Sequence, residues 1–197
     1  SHTLQSTPSN ALHGMPVAAL LGAERALASG AVLLPQHVCV VGARDFEADE
    51  AALLMRLGVR VFTMQEVQRR GLDAVMREAL ALVQDGTVGF GISIDMDAID
   101  PRDAPGVGTP SPNGIRGDEL CTALRPVAHD PALVAIEIAE FNPHRDQQGK
   151  TQACVAALLE ALLSAPAAAA PLIEWEQQYG ARNYTPLPVV LANGRGV

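Results

Sequence analysis

The chain has 197 residues, of which 48% are hydrophobic, and this length is enough for one α/β domain with a buried core. Its net charge is -8 and it carries no basic stripe, which argues against nucleic acid and anionic membranes as partners. No apolar run reaches the roughly 18 residues that a membrane-spanning helix needs. The three cysteines form no Cys-x-x-Cys pair and are best explained as reduced thiols of a cytoplasmic protein.

Predicted helices and strands alternate along the chain. We predict helices over residues 16–28, 47–57, 65–84 with a break near Gly71, 118–128 and 151–163, and strands over 37–41, 59–62, 88–97 and 133–139. Alternation of this kind predicts an α/β fold with three α/β/α layers and a mostly parallel sheet. A long loop rich in glycine and proline follows the third strand.

The most informative stretch lies at the end of the third predicted strand. An apolar run leads there into Asp95 and Asp97, which would point to one face of the strand with Cα atoms roughly 6.6 Å apart. Two such carboxylates repel each other unless a proton or a cation intervenes, and they can bracket a pair of hard cations. Arg44-Asp45 and Glu140 end other strands, so three strands aim acidic residues at the ligand-binding rim that the carboxyl ends of parallel strands form. Polar loop residues that simply face water are the alternative at each strand end.

Residues 93–110 resemble the signature of the ureohydrolases, the family of arginases, agmatinases and formimidoylglutamases. The shared pattern is Ser-x-Asp-x-Asp-x-x-Asp-Pro followed by Ala-Pro-Gly-x-Gly-Thr-Pro. Residues 12–16, 42–67 and 136–143 resemble arginase segments in the same order along the chain. The resemblance covers residues 1–163 and implies an arginase-like domain whose complete site holds a pair of Mn²⁺ ions.

The resemblance also implies roles for individual residues. Asp95 and Asp97 would be metal ligands, with capping or turn hydrogen bonds as their alternative role. Glu140 would pair with the substrate guanidinium, and a structural salt bridge is the alternative. His13 would shuttle a proton to the leaving amine, unless it is an idle surface histidine.

Other positions bear on the substrate. Thr109 would offer a hydroxyl near the same pocket, and Glu47 falls where arginases carry an aspartate that contacts the substrate α-amino group. Asp100 is expected to stabilise the loop rather than bind metal. Arginases usually have asparagine at the positions of His2 and Ala11, and these departures put arginine specificity in question.

A guanidinium group is resonance-stabilised and a poor electrophile, so its hydrolysis near neutral pH requires a strong nucleophile. A two-metal site provides one by lowering the pKa of a bridging water. The resemblance therefore implies manganese-dependent hydrolysis of a small guanidino substrate, above all L-arginine to L-ornithine and urea, by a metal-bridging hydroxide. Agmatinase and formimidoylglutamase activities are alternatives. A non-catalytic ureohydrolase-like scaffold fused to an aminotransferase is an alternative of another class.

The start of the chain prompts further expectations. The family's other metal ligands lie on an earlier strand and in an Asp-Ala-His-x-Asp motif, which would both precede Ser1. We therefore expect the N-terminal strands of the domain to be missing, and we expect this chain alone to bind Mn²⁺ weakly and to make no urea. Family members assemble from several subunits, which implies a homo-oligomer.

The end of the chain carries a second resemblance. Residues 164–171 read as an Ala/Pro linker. Residues 172–197 contain a Tyr-Gly-Ala-x-Asn-Tyr-x-Pro-Leu-Pro run similar to the start of ornithine aminotransferases, and Tyr184 matches the tyrosine that approaches ornithine in that family. Pyridoxal phosphate would bind only if a complete aminotransferase domain were present. An arginase–aminotransferase fusion, in which one enzyme feeds the other, is the hypothesis, and a tail packed on the first domain is the alternative.

Overall fold

Helices and strands alternate in the computed structural model of the protein, which describes residues 1–7, 11–27, 30 and 32–163. The helices are α1 (Pro16–Leu20), α2 (Ala48–Leu57), α3 (Met64–Arg70), α4 (Leu72–Gln84), α5 (Gly117–Leu124) and α6 (Lys150–Leu163). The strands are β1 (Cys39–Ala43), β2 (Arg60–Thr63), β3 (Phe90–Asp95) and β4 (Leu133–Ala139). None of the helices in these ranges combines the length and the apolar character that crossing a membrane requires.

The strands pair in parallel, as their alternation with helices predicts. β1 pairs with β2, and β3 pairs with β4 with Asp95 opposite Ala139. Within the described residues these two pairs are separate sheets. Because β3 and β4 run in the same direction, the residues that follow Asp95 and Ala139 lie at the same edge.

One apolar core extends across both pairs of strands. It includes Phe62 of β2, Ile94 of β3, Leu124 of α5 and Leu158 of α6, and Phe62 and Leu158 are fully buried. Helix α4 packs on β1, and α5 packs on α6. The core therefore fixes the end of β3 in place through side chains of both strand pairs and the helices around them.

Glycines decide where two of the predicted helices end. The break predicted near Gly71 is confirmed, since α3 stops there and Gly71 has φ +83°. The helix predicted over residues 16–28 ends already at Leu20, because Gly22 adopts φ +68° in the left-handed region. The strand predicted over residues 133–139 has the bounds of β4.

Asp100 orders the long loop that follows β3. Its carboxylate accepts hydrogen bonds from the backbone N–H of Arg102 (3.0 Å) and from Arg102 Nε (2.7 Å), and this pairing lowers the pKa of Asp100 to about 2. The Asp100 N–H donates to the carbonyl oxygen of Ile115 at 2.8 Å. A Cβ at Gly114 would lie 2.6 Å from the Asp100 nitrogen, so only glycine permits this approach. Asp100 thus stabilises the loop, as predicted.

Candidate functional site at the carboxyl end of β3

Asp95 and Asp97 lie on a turn rather than on one continuous strand. β3 ends at Asp95, and Met96–Ala98 form a 3-10 turn. Asp95 Oδ1 accepts the N–H of Asp97 at 2.9 Å and so caps this turn. The prediction of a strand over residues 88–97 is wrong at this end because the capping bond satisfies an N–H that a strand would leave to its neighbour. Capping occupies one lone pair of a carboxylate that offers about four, so Asp95 keeps free acceptor capacity.

The surroundings of Asp97 disfavour the ionised form of its carboxyl group. Burial, followed by the negative charge of Asp95, raises the pKa of Asp97 to about 6, and Glu140 adds to the rise. The Thr109 backbone N–H, which donates to the Asp97 carboxylate, and the positive charge of Arg44 act in the opposite direction. Oδ1 of Asp97 is buried and makes no hydrogen bond to any described residue. A buried oxygen of this kind costs stability until a proton or a cation satisfies it.

Asp95 shares this negative environment. Although its side chain is exposed at the edge of the sheet, the surrounding protein atoms raise its pKa, and the charge of Glu140 raises it further. The hydrogen bond from Asp97 N–H and the charge of Arg44 lower the pKa of Asp95 in part. Three carboxylates therefore interact at one rim, which attracts cations.

Glu140 faces the loop that carries Thr109. It follows β4 with φ +63°, an uncommon conformation for a residue other than glycine. Its Oε2 is so close to Gly108 that a Cβ added there would lie 3.6 Å away. The Asn142 N–H donates to the Gly106 carbonyl oxygen at 2.8 Å, which ties the segment after β4 to the same loop. The structure thus brings Asp95, Asp97, Thr109 and Glu140 together at one edge.

Two other predicted residues, His13 and Glu47, belong to the part of the chain before β2. His13 is exposed in a 3-10 turn over Leu12–Gly14. Glu47 caps α2, and its Oε2 lies 4.0 Å from Nε2 of the buried His2. Glu50 Oε1 lies 3.5 Å from the same nitrogen, so His2 faces two carboxylates. No hydrogen bond or ion pair among the described residues joins this group to Asp95 or Asp97.

Tyr184 and the aminotransferase-like run lie outside the described residues. Arg44, by contrast, lies within the described residues. The sequence predicted only a polar residue at the end of a strand there, and not its contacts. It follows β1 directly, and its guanidinium donates to the carbonyl oxygens of Asp97 (2.5 Å) and Ser111 (2.8 Å). Its sequence signals are its place after a predicted strand and within the arginase-like residues 42–67, and neither identifies a partner so far along the chain.

The Asp95 and Asp97 carboxylates fit part of a metal site. Carboxylate oxygens suit Mn²⁺, and the unsatisfied Asp97 Oδ1 is an acceptor that a cation would complete. Among the residues that the structure describes, no group of three His, Cys, Asp or Glu side chains is placed to hold a metal ion by itself. The pair can therefore contribute ligands to a site but does not form a full set.

A sequence model of the arginase family matches residues 1–164. The chain belongs to the arginase family. Arginase from Brevibacillus brevis is 39% identical over 166 residues, which is 82% of this chain and 56% of that relative. The native structure of arginase from Bacillus caldovelox matches with a TM-score of 0.78 at 34% identity, over 84% of this chain and 57% of that one. Formimidoylglutamase from Bacillus subtilis matches with a TM-score of 0.62 at 33% identity, over 65% of this chain and 40% of that one.

These similarities confirm the predicted fold. The parallel strands and their helices belong to an arginase-like three-layer α/β/α architecture. The family hydrolyses C–N bonds of guanidino substrates. The similar sequences include arginases that are 36% and 39% identical to this chain. The chain spans about half the length of the curated relatives it matches.

Proposed function

We propose that this chain supplies part of the active site of a manganese-dependent guanidino hydrolase, and that the substrate is L-arginine, which yields L-ornithine and urea. The observation that carries the proposal is the meeting of Asp95, Asp97 and Glu140 at one edge of parallel strands, with a buried Asp97 oxygen that no described residue satisfies. Membership of the arginase family supports the reaction class.

Asp95 and Asp97 would hold Mn²⁺. When bound, Mn²⁺ lowers the pKa of a coordinated water and so supplies the nucleophile that a guanidinium carbon requires near neutral pH. The protein's contribution is the pair of carboxylates, which repel each other and are stabilised when a cation comes between them. Because the described residues contain no third ligand beside the pair, we expect this chain alone to bind Mn²⁺ weakly.

Glu140 would orient the substrate. A carboxylate can accept two parallel N–H bonds from a guanidinium, which fixes both the position and the plane of the group. Its exposure and its place beside Gly108 leave it accessible at the rim. Thr109 would add a hydroxyl from the adjoining loop, and His13 would deliver a proton to the leaving amine.

Two observations bear on the choice of substrate. Similarity to the Bacillus caldovelox arginase structure is higher, at a TM-score of 0.78, than to formimidoylglutamase at 0.62, and this favours arginine. Glu47 beside His2 would meet the amino-acid end of the substrate, because a carboxylate attracts an α-amino group. Agmatine and formimidoylglutamate are the alternative substrates.

The test uses a chimera in which this chain is joined to the N-terminal part of a related arginase, the part that this chain does not match. Residues 1–163 are fused behind the N-terminal segment of Brevibacillus brevis arginase, and product release from arginine, agmatine and formimidoylglutamate is measured with and without Mn²⁺. We expect Mn²⁺-dependent urea release, fastest with arginine, and no urea from the 197-residue chain alone. Asp97→Ala in the chimera should abolish release, whereas Asp73→Ala, a change at an exposed aspartate on α4, should preserve it.

A folded chimera that turns over no guanidino substrate would favour the non-catalytic scaffold instead. Equal urea release by wild type and Asp97→Ala would refute the metal assignment. For residues 172–197, which lie outside the described residues, the proposal remains that they begin an aminotransferase domain. Binding of pyridoxal phosphate by a longer protein that contains this chain, and its loss on removal of everything after residue 171, would test that proposal.

A further inference from the structure

The side chain of Arg44 links segments that are far apart in the sequence. Its Nη2 donates to the carbonyl oxygen of Asp97 at 2.5 Å and to that of Ser111 at 2.8 Å. Its Nη1 donates to the carbonyl oxygen of Ala98 at 3.3 Å. One guanidinium thus binds the 3-10 turn that carries Asp97 and the loop that carries Thr109.

The strand pairing shows what the hydrogen bonds of Arg44 connect. In the described ranges, β1 pairs with β2 and β3 pairs with β4, and no ladder hydrogen bonds join β1 to β3. Arg44 therefore connects the carboxyl end of β1 to the carboxyl end of β3 through hydrogen bonds that the sheets themselves do not provide. At this edge the position of the Asp97 turn relative to β1 depends on a side chain.

Neighbouring contacts hold Arg44 in the right place. Gly42, two residues earlier, has φ +83°, and a Cβ there would lie 2.8 Å from Cδ1 of Ile115. Ile115 in turn donates its N–H to the carbonyl oxygen of Ala98 at 3.0 Å. The end of β1, the turn and the returning loop are packed closely enough to leave little room for rearrangement around the guanidinium.

We propose that Arg44 is a positioning residue for the metal site. Its planar fork locks the Asp97 turn against the Thr109 loop, so that the Asp97 carboxylate stays beside Asp95 in the orientation that receives a cation. The inference rests on the proposed function, since it assigns Arg44 a purpose within the same site. Lysine keeps the charge and has three N–H donors, but they share one nitrogen on a flexible stem, so they fit the three carbonyl oxygens less well than the two nitrogens of a rigid, planar fork.

The experiment compares the chimera described under Proposed function, which supplies the upstream part of the domain, with its Arg44→Lys and Arg44→Met variants by two measurements. The first is Mn²⁺ affinity, from the electron paramagnetic resonance signal of the free ion. The second is hydrogen–deuterium exchange of peptides that cover residues 96–111, recorded without metal. Circular dichroism verifies that each variant is folded. Arg69→Met, at an exposed position on α3, controls for the loss of one positive charge.

We expect both Arg44 variants to weaken Mn²⁺ binding about tenfold and to speed exchange in residues 96–111 about tenfold, roughly the effect of losing one hydrogen bond of a charged donor. Peptides of β2 should exchange as in wild type, and Arg69→Met should change neither measurement. Full rescue by Arg44→Lys would overturn the proposal, because the planar fork of arginine would then not be required. Unchanged Mn²⁺ affinity in Arg44→Met would overturn it as well.

Asp97→Asn separates this inference from the proposed function. If wild type and Asp97→Asn bind Mn²⁺ equally, or if neither binds, the metal assignment itself fails. The positioning role of Arg44 then fails as well, because it depends on that site. If binding depends on Asp97 but exchange over residues 96–111 is the same in wild type and Arg44→Met, the metal assignment stands and the Arg44 proposal fails.

Discussion

In metal-free buffer, Asp97→Asn should make the protein more stable at neutral pH. Burial and the charge of Asp95 raise the pKa of Asp97 from 3.8 to about 6, so the ionised form is the less favourable one in the folded state. A carboxyl group with a raised pKa contributes stability below pH 3.8 that is lost as the pH rises through 6. The rise corresponds to at most about 3 kcal/mol. Because solvent reaches part of Asp97 and screens the charges, we expect about 1 kcal/mol.

The assay is urea unfolding in the presence of EDTA, followed by circular dichroism at pH 4 and pH 7.5. The variant should gain about 1 kcal/mol over wild type at pH 7.5, or roughly 2–4 °C in Tm, and nothing at pH 4. Asp73→Asn, at an exposed position on α4, should gain nothing at either pH. Excess Mn²⁺ should stabilise wild type but not Asp97→Asn, since only a ligand that binds the folded state stabilises it. A variant that is less stable than wild type at pH 7.5, or a gain that is equal at both pH values, would refute this reasoning.

Three further predictions concern the frame around the site. Phe62→Ala should destabilise the fold by about 3–5 kcal/mol in denaturant unfolding, because Phe62 is fully buried, whereas Val88→Ala at a fully exposed position should change little. Hydrogen bonds from Arg60 and then Arg70 lower the pKa of Glu66 to about 2. Glu66→Gln should therefore remove stability that is present above pH about 4.5 and lost toward pH 2, measured as Tm against pH. Parallel Tm curves for wild type and variant would contradict this. Gly114→Ala should disrupt the loop, since the new Cβ would lie 2.6 Å from the Asp100 nitrogen, and a wild-type rate of proteolysis at residues 98–116 would contradict this.

The sequence sufficed where a local signal decides the backbone. Gly71 separates α3 from α4, and the apolar run over residues 133–139 forms β4 with the predicted bounds. Asp100 follows the same rule, because its carboxylate bonds to Arg102 only two residues away. The alternation of elements was also enough to predict parallel pairing, which in turn placed Glu140 beside the end of β3.

Tertiary contacts decided the rest. Arg44 bonds to Asp97 and Ser111, which are 53 and 67 residues away, and no periodicity reports such partners. The strand prediction ran through Asp97 because alternation continues there, while the capping bond to Asp95 ends β3 two residues earlier. The role of Tyr184 stays a prediction, since it lies outside the described residues.

The most direct test of the central claim is the rate of urea release from arginine by the chimera with Glu140→Gln, compared with Glu137→Gln. Both residues lie at or near the end of β4, but Glu137 bonds to Ser93 on the neighbouring strand, whereas Glu140 faces the Thr109 loop. If Glu140 pairs with the guanidinium, its change to glutamine should lower kcat/KM by at least about a hundredfold, or roughly 3 kcal/mol, while Glu137→Gln stays within a few fold of wild type. Equal kcat/KM values for the two variants would contradict the assignment of this edge as the guanidino-binding site.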